Sequence, residues 1–246
     1  MIKNKYAAGK FSLFFVSLMA VSGISKAQES AYADLDACTK DQQIKLTAKG
    51  AVTGLLAGFG GAFLAGKKDD AVKVAAIGAA AGGAAGFATA YYTAIETCQK
   101  LNANWITESK LVRDPSKSYA QVMKENNYKA KDGIKLLTKN IGVPSAVKAG
   151  SSLPIESTFD VMTPDGAETS VVIDHKLYVM EDGTEKLIYP KETKSPQRRV
   201  EAGRNTDSGA IPIASEVKAG TVYRVEFSVT PSDGKPVAVS KNVTIS

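Results

Sequence analysis

Two cysteines and one histidine are all the thiol and imidazole chemistry that this 246-residue chain holds. Cys38 and Cys98 bracket one long stretch of small and apolar residues. In an exported protein an even pair on either side of one unit predicts a disulfide. Closing a loop of about 60 residues would contribute roughly 4 kcal/mol in the chain-entropy view. Two buried free thiols are the alternative. The single histidine excludes His-based zinc motifs such as H-E-x-x-H. His175 sits in Asp174-His175-Lys176 within an expected strand and reads as an exposed strand residue. Neither a G-x-S-x-G elbow nor a P-loop occurs. Gly58-Phe59-Gly60-Gly61 is not a phosphate cradle, because it falls inside an expected helix rather than between a strand and a helix. Asp160, Asp165 and Asp174 are acids of the type that bind cations, but they fall on turns and strand edges, where solvated acids are ordinary. The expectation is no enzyme, no cofactor and no metal.

The unit between the cysteines carries the strongest pattern. Gly50, Gly54, Gly58, Ala62 and Gly66 form one row at fourfold spacing, and Gly78, Gly82, Gly86, Ala90 and Ala94 form another. Lys67-Lys68-Asp69-Asp70 separates them. Every fourth residue of a helix returns to nearly the same face, so each row is a smooth stripe where backbones approach closely. An antiparallel helical hairpin centred near residue 72 pairs the rows one for one, 50 with 94 through 66 with 78. The glycines between 50 and 86 would together cost about 10 kcal/mol in exposed helix interiors. Close packing must repay that. A flexible Ala/Gly linker is the bland alternative, but it needs neither the spacing nor the interleaved Leu, Phe, Val and Ile.

Residues 1–27 read as a signal peptide. Lys3, Lys5 and Lys10 precede an apolar run from Phe11 to Ile24, and Ser25-Lys26-Ala27 places small residues for cleavage after Ala27. An uncleaved anchor is the alternative. Removing this leader removes four lysines and no acid, so the formal charge of +6 falls to +2. A nucleic-acid partner, which wants a concentrated basic face, is poorly supported. Leu35-Asp36-Ala37-Cys38 faintly resembles a lipobox, which makes lipidation of Cys38 a third reading of that residue. The aspartate is unusual there.

Helix 1 is expected over 41–66, and helix 2 from near Ala71 past Cys98 towards Leu111. Residues 50–66 and 74–95 are uncharged. The second run is long enough to span a bilayer, yet alanine and glycine make both marginally hydrophobic for that role. Tyr91, Tyr92 and Trp105 suit a membrane interface. Residues 101–148 carry nine Lys/Arg against four Asp/Glu and read as a polar helical connector, with short helices over 116–125 and 132–140. Acidic headgroups or glycan are the sharper reading of its charge.

From 149 to 246 the texture is β. Strands are expected over 153–162, 171–180, 186–189, 211–214, 221–230 and 236–245, with a polar loop over 191–209. Tyr223, Val225, Phe227 and Val229 alternate with Arg224, Glu226 and Ser228. Thr163-Pro164-Asp165-Gly166 and Pro231-Ser232-Asp233-Gly234 are turns. Short strands at this spacing predict a β-sandwich. The fold class is therefore α plus β in two domains, a helical hairpin over 38–100 followed by the sandwich. Few contacts are expected between them.

The doubled G-x-x-x-G-x-x-x-G hairpin over 46–95 resembles the glycine-zipper domains of bacterial envelope and outer-membrane-associated proteins. The stretch from Ile211 to Phe227 resembles the penultimate strands of bacterial immunoglobulin-like domains, which implies a corner-tyrosine role for Tyr223. These resemblances imply an envelope structural or interaction protein, periplasmic or outer-membrane-associated. Its hairpin associates with a membrane or with further copies as a homo-oligomer, and its β-domain binds a protein or glycan ligand. The alternatives are a secreted pore-forming or toxin-like protein that inserts through the same hairpin, and a soluble periplasmic binding module.

Overall fold

The structure is a computed structural model that describes residues 35–43, 45–46, 86–105, 108–181, 183–190 and 194–246. Helix α1 covers 35–43 and helix α2 covers 86–101. There follow β1 (Lys110–Arg113), α3 (Tyr119–Glu125), β2 (Lys135–Gly142), β3 (Ala146–Val147), β4 (Ser152–Met162), β5 (Thr169–Glu181), β6 (Thr184–Tyr189), β7 (Gln197–Val200), β8 (Gly203–Pro212), β9 (Val222–Pro231) and β10 (Val237–Ile245). One sheet runs β1-β8-β4-β2. The other runs β3-β10-β9-β5-β6, with β7 also paired to β5. All pairings are antiparallel except β3 with β10.

Alternation builds the core. A strand sends successive side chains to opposite faces. In β9 Tyr223, Val225, Phe227 and Val229 are buried, as their spacing predicts. In β4 Leu153, Ile155, Phe159 and Val161 face the same interior. Phe159 from one sheet meets Phe227 from the other at a ring distance of 5.7 Å. The described residues are thus mostly β, two sheets packed face to face, with helices attached.

Cys38 and Cys98 are disulfide-bonded, with Cα atoms 6.1 Å apart. The bond joins α1 to α2. Around it Leu35, Thr39, Ala94 and Cys98 are buried. Ala88, Tyr91, Tyr92 and Ile95, on another side of α2, belong to the same core cluster as the strands. Tyr92 packs on Tyr189 at 5.3 Å. The expectation of few contacts between helices and sandwich is therefore overturned, and these tyrosines are core residues of the protein rather than interface anchors.

Most of the expected stripe lies outside the described residues: Gly50, Gly54, Gly58, Ala62, Gly66, Gly78 and Gly82. Of the remainder, Gly86 is exposed, Ala90 is half-buried and Ala94 is fully buried. Among the described residues no helix is long and apolar enough to cross a membrane.

The polar connector over 101–148 is also corrected. It holds β1, α3, β2 and β3, and β1 and β2 are the two edges of the first sheet. The helix expected over 116–125 is present as α3, closed by a Ser118–Gln121 capping box. The helix expected over 132–140 is instead strand β2. A bulge between Thr138 and Asn140 breaks its register. Leu136 and Ile141, which a regular strand would send to opposite faces, are both buried. That irregular spacing imitates a helix.

Candidate functional site

The loop expected over 191–209 contains the strand that carries the most chemistry. β8 lies inside the first sheet, between β1 and β4. Its inward positions include Gly203, Asn205 and Asp207, so no hydrophobic alternation betrays it. The Asn205 amide is satisfied locally. Asn205 Nδ2 donates to the carbonyls of Glu201 and Gly203 at 3.0 and 3.1 Å. Gly203 has φ +126, and a Cβ there would sit within 2.6 Å of the Arg113 guanidinium. Only glycine fits that place.

Asp207 is the centre of a buried cluster. Its side chain is 0 % exposed. Ser109, just before β1, donates from Oγ to Asp207 Oδ1 at 2.7 Å. Arg198 of β7 donates from Nη1 to Ser109 Oγ at 2.8 Å and to Asp207 Oδ1 at 3.2 Å. From the opposite sheet, His175 brings Nε2 to 3.3 Å from Asp207 Oδ2. Those two atoms lack hydrogen-bond alignment and have no other partner among the described residues. The His175 ring leans on Phe227 at 5.4 Å.

His175 is therefore not the exposed strand residue that its charged neighbours imply. Its side chain is 14 % exposed and shares the inward parity of Val171, Ile173, Leu177 and Val179. That parity was the signal in the sequence. Burial holds its pKa below the ordinary 6.5, against the pull of Asp207 and Asp174. Burial also raises Asp207 above its ordinary 3.8, against His175, Ser109 and Arg198.

This arrangement is poor for covalent catalysis. In an activated serine the imidazole stands between hydroxyl and carboxylate. Here the carboxylate stands between hydroxyl and imidazole. The Ser109 proton points at Asp207, and the Arg198 guanidinium approaches its oxygen. The same guanidinium opposes any cation at Asp207. Among the described residues no three His, Cys, Asp or Glu side chains converge as metal ligands. What the cluster can do is tie four segments together, β1, β5, β7 and β8.

A second charged group covers the outer face of the first sheet. Arg204 grips Asp160 with two hydrogen bonds, Nε to Oδ1 at 2.8 Å and Nη2 to Oδ2 at 3.0 Å. Asn126 donates to Oδ2 at 2.8 Å, Lys139 lies 3.3 Å away, and Glu125 takes the remaining Arg204 contact at 2.8 Å. Burial pushes the Asp160 carboxyl up, but Arg204 and Asn126 outweigh it and hold the pKa low. Asp160 is thus a buried ion-paired acid rather than a solvated one. Asp165 accepts from the Ala167 amide at 3.1 Å beside its turn, and Asp174 stays on β5 beside His175.

No protein-family model and no curated protein matches the chain. Parts of solved structures are similar to it. The CARDB domain of a Pyrococcus furiosus protein, in complex with di-metal ions, matches at TM-score 0.32 and 13% identity, over 47% of this chain and 90% of that one. A family 123 glycoside hydrolase from Clostridium perfringens matches at TM-score 0.33 and 9% identity, over 46% of this chain and 27% of that one. The sporulation control protein Spo0M of Bacillus subtilis matches at TM-score 0.26 and 9% identity, over 46% of this chain and 48% of that one. Likeness at this level says nothing of activity, metal or partner.

Proposed function

We propose that this chain is an exported binding or interaction protein that works by association rather than catalysis. The observation that carries the reading is the Cys38–Cys98 disulfide, which fastens α1 to a helix whose Tyr91, Tyr92 and Ile95 belong to the sandwich core. Such a bond persists in an oxidising compartment. The basic and apolar leader over residues 1–27 agrees with export. The segment between the two helices carries most of the small-residue rows. We read it as a glycine zipper that associates with a membrane, the outer one foremost, or with further copies of the chain. The sandwich, read as immunoglobulin-like, is the platform for a protein or glycan ligand. At a mature formal charge of about +2 it lacks the basic balance that nucleic acid demands.

Cell fractionation tests this. The native protein is expected to begin at Gln28, to carry an intact Cys38–Cys98 bond and to pellet with the envelope until detergent releases it. The double variant Gly54→Leu/Gly82→Leu should lose membrane association or self-assembly while the sandwich stays folded, because leucine does not fit where backbones touch. A double variant that fractionates and assembles like the parent overturns the zipper. Freely alkylated thiols in the native protein overturn the export reading.

A further inference from the structure

The buried cluster joins two short strands at the edges of the sandwich. β1 is an edge strand of four residues on β8, and Ser109 precedes it directly. β7 is likewise four residues long and, among the described residues, pairs only with the first part of β5, Thr169 to Val172. Ser109, just ahead of β1, and Arg198 of β7 both send a polar group to the same oxygen, Oδ1 of Asp207. His175 approaches the other oxygen from the facing sheet. We propose that His175, Asp207, Arg198 and Ser109 form an acid-operated latch that holds β1 and β7 closed at neutral pH and releases them when His175 takes up a proton.

The charge count gives the direction. With His175 neutral, Asp207 and Arg198 cancel. A proton on His175 adds a second cation beside the same carboxylate, in a space largely shut off from water. Ser109 adds no charge, and Phe227, which faces the imidazole from β9, offers none either. Asp174 on the same strand is the other acid near His175, and Arg198 is the opposing cation. Arg198 is the member able to leave: its side chain is 25 % exposed, whereas Asp207 is 0 % exposed. Its departure removes the donor that links Ser109 to β7. A proton taken by Asp207 has the opposite effect, because burial favours its neutral form in the closed arrangement. The proton that opens the latch is therefore the one on His175.

Amide hydrogen exchange of the full chain, corrected for the intrinsic pH dependence of exchange, tests the latch. Between about pH 7.5 and about pH 5, protection in 110–113, 169–172 and 197–200 is expected to fall about tenfold or more, while 225–229 in β9 stays protected. His175→Gln should hold the edge protection nearly constant across that range. Arg198→Gln should leave the edges open at both ends of it. Since the chain has one histidine, its Cε1 proton gives an unambiguous resonance to follow. That resonance should titrate below pH 6.5, with a midpoint matching the loss of edge protection in the unmodified protein. This second readout decides the matter if His175→Gln fails to fold. Edge protection that is unmoved through the imidazole titration overturns the latch. So does acid loosening that reaches β9 equally, or an unchanged pH response in His175→Gln.

Discussion

The hydroxyl of Tyr92 donates a hydrogen bond of 2.9 Å to the carbonyl oxygen of Pro212. One bond thereby joins the disulfide-bearing helix to the last residue of β8. Among the described residues β1 pairs with β8 from Asn205 to Ser208, and Tyr92 meets the strand further on, at Pro212. Tyr92→Phe keeps the ring in place but deprives a carbonyl of its partner, and should cost about 1–2 kcal/mol. Tyr92→Ala also removes a fully buried ring and should cost about 3–5 kcal/mol. Denaturant unfolding of the full chain measures both. A Tyr92→Ala protein as stable as the parent would show that α2 is not part of the core.

Replacing both cysteines, Cys38→Ser with Cys98→Ser, tests the staple without leaving an odd thiol. The double variant should lose roughly 2–4 kcal/mol. The loss should fall unevenly. Hydrogen exchange in 35–43 should accelerate, since α1 is bonded to α2 there. Helix α2 should stay docked through Tyr91, Tyr92 and Ile95.

The extent of the sandwich predicts the behaviour of fragments. A fragment over 145–246 lacks β1 and β2, and so strips β8 and β4 of a neighbour each. It also lacks Ser109 of the buried cluster. Circular dichroism and denaturant titration should find no cooperative transition. A fragment over 108–246 keeps both sheets and should fold, less stably than the whole chain, because the strands that pack on Tyr92 and Ile95 lose their cover. A cooperative fold in the shorter fragment would mean that β1 and β2 are dispensable.

Arg204 and Asp160 set an acid limit on stability. Asp160 has a pKa below its ordinary 3.8 in the folded protein. A carboxyl with a depressed folded pKa contributes stability that is present above the unfolded value and is lost as pH falls through the folded one. The pair should therefore hold at pH 5 to 7, and its contribution should vanish well below about pH 4. Arg204→Ala leaves the buried carboxylate with Asn126 and Lys139 alone and should cost about 3 kcal/mol near neutrality. The penalty should shrink in strong acid. His175 acts in a higher window. Its depressed pKa makes stability fall as pH drops below about 6.5. Asp207, raised by burial, has the opposite sign and favours the folded state as it takes up its proton. Unfolding curves of the parent and Arg204→Ala proteins across these windows check the signs.

Local pattern was enough for much of this protein. The alternation of Tyr223, Val225, Phe227 and Val229 and the glycine turns after Thr163 and Pro231 place strands without help, because period and turn chemistry act over a few residues. The cysteine pair around one unit predicts the bond that the structure contains. Even the burial of His175 was written in the parity of Val171, Ile173, Leu177 and Val179, although charged neighbours on both sides masked it. Three other features came only from tertiary structure. Strand β8 has no apolar alternation, since its inner face is filled by Asn205, paired to carbonyls just before it, and by Asp207, whose cost of burial is met by partners on other strands. Strand β2 hides its parity behind a bulge that only the pairing with β4 defines. The docking of Tyr92 on Pro212 and the meeting of Ser109, His175, Arg198 and Asp207 join residues up to 120 positions apart. No local period encodes such distances. A buried polar group is tolerable only once its partner arrives, and the fold decides which partner that is.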